Sequence, residues 1–371
     1  MLTPSLMAVT ILTFITGLSA TSAPLLVGGQ GFQTITPMIL TFANNVSSRP
    51  LAALLALFLG VATIILLTIM IQIEKRGHYM SVSKVKTTIV KQKIRNPILN
   101  VLAHVYAYLL FLIYVIPVAL VVLFSFTDSA TIASKHLTLS SFTLDNYISI
   151  FQKASSYKPF VVSIAYSAIA ASFVAIIVLI ACRILQKRKD RLGGALEYGL
   201  LIPWLLPTTL MALGLITTYN TPRVWMFNKV LTGTSVIMLI GYIIIKIPFT
   251  LRMTKAAFFS LDDSLEDAAR NMGAKPFYTF MRVQLPIILP TVLAIFALNF
   301  NGLLGDYDMS VFMYHPLNKP LGVYIKSLTD AETNADNAAL TFVYAVLMMI
   351  ISAAVMYLVY GRGNKVDKSK D

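Results

Sequence analysis

The sequence contains eight stretches of 17–29 residues with at most one charged residue each, at 5–22, 51–73, 98–126, 160–184, 198–219, 235–251, 287–305 and 339–360. About 20 apolar residues in a row are what an α-helix needs to cross the hydrocarbon of a bilayer. The runs are continuous rather than alternating, which favours spanning helices over a barrel. The first run is interrupted by Thr and Gly, and it lacks the basic start and small-residue cleavage site of a signal peptide. Composition agrees: 57% hydrophobic and 12% charged residues leave too little polar surface to coat a soluble globule, which typically carries about 25% charge. A water-soluble enzyme, a disordered chain and a disulfide scaffold are excluded. The single cysteine, Cys182, can form neither an internal bridge nor a cysteine-based zinc site. The expected fold is an all-α integral membrane protein with about eight transmembrane helices.

Charge alternates from loop to loop. Segments 74–97, 183–197 and 246–286 and the tail after 361 hold 22 of the 30 Lys and Arg, and the segments between them hold 8. Cytoplasmic loops carry the Lys/Arg excess, so the first set is predicted to be cytoplasmic, together with both termini. The net charge of +14 is thus a topology signal. A nucleic-acid partner is not expected, because no basic fold with interleaved aromatics accompanies the charge.

The basic segment 74–97 divides a two-span piece, 1–73, from a six-span block, 98–361, which a short cytoplasmic tail, 362–371, follows. Its Lys and Arg suit a cytoplasmic linker or a helix on the membrane surface. An internal repeat relates the two parts: PSLMAVTILTF at 4–14 aligns with PTVLAIFALNF at 290–300, pairing Pro4 with Pro290, Ala8 with Ala294 and Phe14 with Phe300. A short polar external segment and one last span follow each copy. On this reading 1–73 is the remnant of a first unit, and a second unit is expected as a partner, either a separate first half or another copy of this chain.

One cytoplasmic loop, 260–290, carries a pattern: acidic-Ala-Ala at Asp267-Ala268-Ala269 with Glu266 just ahead, then Gly273, Val283, Leu285 and Pro286. Acidic residues near the start favour a short helix opening at about 263–264. Two alanines give it a face without bulk, and Gly273 ends it or permits a close turn.

This spacing resembles the EAA loop of permease subunits of bacterial binding-protein-dependent ABC importers, and the resemblance covers the six-span block. It implies a type I importer permease core in which Glu266, Asp267, Ala268, Ala269, Gly273 and Pro286 form a coupling helix that docks on a cytoplasmic ABC ATPase dimer. Asp267 stands where that family usually has Glu. The implied partners also include an extracytoplasmic substrate-binding protein, a second permease unit and the lipid bilayer. ATP and Mg would be bound by the ATPase, with no cofactor in this chain. No G-x-x-x-x-G-K-[ST] motif is present, consistent with a non-enzymatic transport subunit of the bacterial inner membrane.

A function of another class draws on the same loop. Asp262, Asp263 and Glu266 fit a DDxxE pattern, as in Mg-dependent membrane prenyltransferases. Such enzymes need a second acidic set on the same cavity, whereas Asp306 and Asp308 are predicted at the opposite membrane face, about 30 Å away.

Asn299, Asn301, Asp306 and Asp308 lie near the outer end of the penultimate span. Polar groups at that depth are costly unless they face protein or water, so they are candidates for the substrate pathway as well as for interhelical hydrogen bonds or, for the aspartates, an exposed acidic rim. The stretches GDYDMSVFMYHPLNKPLG (305–322) and SATSAPLLVGG (19–29) resemble parts of fused ferric iron permeases. That resemblance implies ferric iron as cargo, with polyamine, phosphonate, thiamine and sulfate permeases as sister subfamilies.

Overall fold

The computed structural model describes residues 10, 13–14, 16–28, 32–76, 94–134, 136–188, 190–222, 224, 228–259, 261–262, 264–329 and 337–361. Parts of the first apolar run, most of the repeat copy at 4–14 and of the linker 74–97, the tail 362–371 and Asp263 lie outside these residues.

The described residues are nearly all helical. In chain order the main helices are α1 (Ile35–Asn44), α2 (Arg49–Arg76), α3 (Pro97–Ser125), α4 (Asp145–Gln152), α5 (Ala154–Lys187), α6 (Arg191–Leu201), α7 (Thr208–Tyr219), α8 (Ser235–Phe259), α9 (Ser264–Asn271), α10 (Pro276–Leu304), α11 (Leu321–Thr329) and α12 (Ala338–Tyr360). Six of them, α2, α3, α5, α8, α10 and α12, are long and apolar enough to cross a membrane.

The apolar run 198–219 is not a straight span. The arm Arg191–Trp204 meets α7 at 104°. Two prolines explain the break. Pro203 opens a single 3₁₀ turn, and Leu206, just before Pro207, is extended at φ −112°, ψ 135°, because the proline ring disfavours helical backbone in the preceding residue.

The penultimate span starts earlier than its apolar run. Pro276 takes the first helical position after Lys275, where its missing N–H is not needed. The helix then widens into a π-turn over Phe280–Gln284, with Leu285 N–H bonded to Phe280 O. That wide turn falls just ahead of Pro286, whose ring would clash with the carbonyl four residues back in a regular helix. Pro286 and much of the expected loop 260–290 thus belong to the spanning helix.

The segment 23–50, expected to be short and polar, contains α1, which packs on α2. Ile39 and Ala43 of α1 meet Ala52, Ala56 and Leu59 of α2, and Leu210 and Leu213 of α7 and Phe312 close the cluster. The alanines, four residues apart, share one helix face and let the helices approach closely. The leading piece therefore rests on the six-span block.

The centre of that block is α5 packed between α8 and α10. Towards one end Tyr166, Ala170, Met238, Tyr242, Leu303 and Met309 interlock. Towards the other, Val178, Cys182, Leu251, Phe258 and Ile288 do so. By contrast, α3 buries only its last residue, Ser125, and touches α12. A helix apolar on all sides and exposed on nearly all of them suits lipid.

Candidate functional site

The loop between α8 and α10 folds as the acidic-Ala-Ala pattern predicts. Asp262 Oδ1 accepts from Ser264 N–H at 2.9 Å and starts α9. At its other end Gly273 has φ +81°; its N–H bonds to Arg270 O at 2.9 Å and Ala274 N–H to Ala269 O at 3.0 Å. That pair of bonds is the Schellman stop, which needs left-handed backbone at the glycine. A Cβ at Gly273 would meet nothing within 4 Å, so conformation rather than space requires the glycine.

Within this helix the two adjacent carboxylates face opposite ways. Glu266 points inward, 12% exposed, and Asp267 outward, 68% exposed. The Glu266 carboxylate receives both Arg183 guanidinium nitrogens, at 3.1 and 3.3 Å, the Lys187 ammonium and the Gln284 amide at 3.2 Å. Arg270, one turn on, lies 3.8 Å away. Burial alone would raise the Glu266 pKa, but the hydrogen bonds and charges of Arg183 and Lys187 outweigh it and hold the group down at about 2. One carboxylate thus ties α9 to the end of α5 and to the π-turn of α10. Ala269 is buried with it, whereas Asp267, Ala268, Arg270, Asn271, Met272 and Gly273 form an open face, continued by Phe277 and Tyr278 and by Pro286 further along α10.

The same contacts bear on the DDxxE reading. Arg183 and Lys187 close the Glu266 carboxylate, and Asp262 caps α9. Among the described residues no group of three or more His, Cys, Asp or Glu is arranged to hold a metal ion.

The pathway candidates separate. Asn299 is 2% exposed, and its Nδ2 donates to Thr250 Oγ1 at 2.7 Å, joining α10 to α8. Asn301 Nδ2 donates to Ser352 O of α12 at 3.4 Å, and its buried Oδ1 has no partner among the described residues. Asp306, expected on an exposed acidic rim, is partly buried and organises the turn after α10: Oδ2 accepts from Met309 and Ser310 N–H at 3.3 and 3.1 Å. Asp308 is also partly buried and lines a cavity with residues of the leading piece and of the α6–α7 bend.

Lys246, counted by sequence with the cytoplasmic set, sits in the middle of α8. Its Nζ would be 2.8 Å from a Cβ at Gly302, and its charge interacts with Asp306. The glycine makes room for the ammonium, and the aspartate offsets its charge at a depth where an isolated cation is expensive. A lysine inside the apolar run SVIMLIGYIIIKIPF was the available signal. Arg183 and Lys187 gave a weaker one, as two members of the basic cluster closing α5.

Residues 93–365 match the family described as binding-protein-dependent transport system inner membrane component. A probable ABC transporter permease protein of Sinorhizobium fredii (strain NBRC 101917 / NGR234), y4fN, is 37% identical over 96% of this chain and 62% of its own length, so the chain spans less than two thirds of that relative. A putative 2-aminoethylphosphonate transport system permease protein of Salmonella paratyphi A (strain ATCC 9150 / SARB42), PhnV, is 24% identical over 57% of this chain and 78% of its own. In fold, the chain is similar to the crystal structure of a bacterial ABC transporter involved in the import of the acidic polysaccharide alginate, with a TM-score of 0.58 and 16% identity over 72% of this chain and 96% of that one.

Proposed function

Because the chain belongs to the family of binding-protein-dependent transport system inner membrane components, we propose that it is a multi-pass permease subunit of an ATP-driven importer. In this reading the open face of α9, at Asp267, Ala268, Arg270, Met272 and Gly273, docks on a cytoplasmic ATPase dimer that binds ATP and Mg. Glu266 and Ala269 hold the helix from behind. The observation that carries the proposal is the division of one short helix into an inward side clamped to two spanning helices and an outward side left to solvent. Closure of the ATPases on ATP would push α9, and the Glu266 clamp would pass the displacement to α5 and α10. Substrate delivered by an external binding protein would then cross between this block and a second permease unit, with the chain making and breaking no covalent bond.

Ferric iron is the cargo implied by the resemblance of 19–29 and 305–322 to iron permeases. The 24% identity to a 2-aminoethylphosphonate permease favours a sister cargo instead. Uptake of labelled ferric iron and of 2-aminoethylphosphonate, compared in cells with and without the gene, separates the two.

The docking assignment is tested with Ala268→Trp. Ala268 is exposed, so the added bulk leaves the fold intact. The expected result is normal membrane insertion with loss of ATPase co-purification; full co-purification and coupled uptake would overturn the assignment.

A further inference from the structure

Lys246 is eleven residues from Ser235, which opens α8, and thirteen from Phe259, which closes it. At 1.5 Å per residue that is about 16–20 Å from either end, too deep for the side chain to reach a membrane surface. The ammonium reaches across to α10 and fills the space in front of Gly302, 2.8 Å from a Cβ built there. Gly302 is exposed and Lys246 half-buried, so the charge opens onto the outside of the block and not into its core. A lysine ammonium carries three N–H donors. Among the described residues this one makes neither a hydrogen bond nor an ion pair. Asp306 offsets part of its charge from beyond ion-pair reach, while Asp306 Oδ2 accepts from Met309 and Ser310 N–H. The backbone alongside is broken at the same depth. Helix α10 stops at Leu304, and the chain regains the level of the first residue of α8 only at Asn318, whose Nδ2 donates to Ser235 Oγ at 3.4 Å. Between these points Met309 and Met313 pack on Met238 and Tyr242 of α8. Non-helical backbone within the depth of a spanning helix is tolerated where it is buried in protein or lines water, and an ionisable side chain there marks a pathway.

We propose that the exposed side of α8 and α10 around Lys246 and Gly302 is a wall of the solute path, and that Lys246 is a specificity-determining residue on it, offering its ammonium to the oxyanion group of a small solute. The inference rests on the permease reading and deepens it by naming the substrate class. A compact ammonium acts as a point charge that meets phosphonate, sulfate or carboxylate oxygens without a fixed geometry. A bare metal cation gains nothing from it. Gly302 keeps the ammonium open, because a larger side chain at that position would stand between the charge and the path.

The experiment uses the full chain with Gly302→Cys in discs of neutral phosphatidylcholine; the native chain, whose single cysteine Cys182 is buried, is the control. Two thiol reagents of opposite charge are compared, anionic 2-sulfonatoethyl methanethiosulfonate and cationic 2-(trimethylammonio)ethyl methanethiosulfonate. Both are expected to modify the new thiol, which requires water at this depth. The anionic-to-cationic rate ratio is expected to fall about tenfold when Lys246→Gln is added, since a fixed charge concentrates counter-ions in a cleft of low dielectric, and to recover to within about threefold with Lys246→Arg. Sulfate and methylphosphonate should protect the thiol and tetramethylammonium should not, with protection lost in Lys246→Gln. No modification by either reagent would mean that lipid or a second permease unit covers this face, and overturns the proposal. A rate ratio indifferent to Lys246→Gln, or protection by tetramethylammonium and not by sulfate, overturns it as well. ATPase co-purification is measured on the same discs, so a chain that captures the ATPase but leaves the thiol unreactive counts against this face alone, and failure of both counts against the permease reading.

Discussion

Arg183 grips Glu266 with both guanidinium nitrogens across 83 positions of sequence, at 3.1 and 3.3 Å. The contact joins the end of a spanning helix to the side of a surface helix. It is partly shielded from solvent, with Arg183 17% and Glu266 12% exposed, so it is stronger than an open surface pair.

The first prediction follows from that pair. Glu266 is held at about 2 against an ordinary 4.5, and its lowered pKa means that the ionised form is bound more tightly in the folded chain. The stabilisation is therefore present above about pH 4.5 and is lost as pH falls towards 2. Its size is on the order of 2–3 kcal/mol, reduced from the full shift because Lys187 is half-exposed. Thermal unfolding of the solubilised protein from pH 7 to pH 3 should show a steep acid limb in the native chain. Glu266→Gln should unfold earlier at pH 7 and show a shallower limb; parallel curves would remove the clamp from the account.

Asn299 and Thr250 provide the second. Their 2.7 Å bond links α10 to α8 inside the block, and interhelical hydrogen bonds in membranes contribute about 0.6 kcal/mol on average, up to about 1.7. A double-mutant cycle with Asn299→Ala and Thr250→Ala should give a coupling energy of about 1 kcal/mol in unfolding assays. Loss of uptake without loss of stability would instead make Asn299 a lining residue of the path.

The third concerns Gly273 at φ +81°. With nothing within 4 Å of an added Cβ, the penalty of substitution is conformational, about 1–2 kcal/mol for an ordinary L-residue. Gly273→Asn should therefore keep more ATPase binding than Gly273→Val, although asparagine adds a side chain of similar bulk. Equal loss in both would point to contact at this position rather than to the shape of the helix stop.

A fourth separates transport from prenyl transfer. Asp262 starts α9 by accepting from Ser264 N–H, so Asp262→Asn should keep that cap and retain uptake near the native level. Mg-dependent transferase activity in the purified chain, abolished by this change, would decide for the enzyme.

The spanning helices were legible because a bilayer leaves few alternatives for long apolar runs: six of the eight became single crossing helices. The α6–α7 bend was written in Pro203 and Pro207, but hydropathy averages over prolines and reports one straight run. Gly273 was readable for a local reason, since a helix stop depends on a few neighbouring residues. The inward turn of Glu266 was not. Neighbouring acidic residues on a short helix look alike until the tertiary fold brings Arg183 and Lys187 to one of them. Lys246 misled for a related reason: charge counting sorts cations by loop and has no place for one seated inside a span beside Gly302.

Helix α5 runs 34 residues, about 50 Å at 1.5 Å per residue, which exceeds the roughly 30 Å hydrocarbon thickness. At its far end the Tyr344 hydroxyl of α12 donates to Ser156 O at 2.7 Å, and at its near end Lys187 and Arg183 grip Glu266. A rod pinned at one extremity and grasped at the other behaves as a lever. In the proposed coupling, a sideways step at the Glu266 end would swing a rod of this length through only a small angle, a rotation that neighbouring helices could follow by sliding.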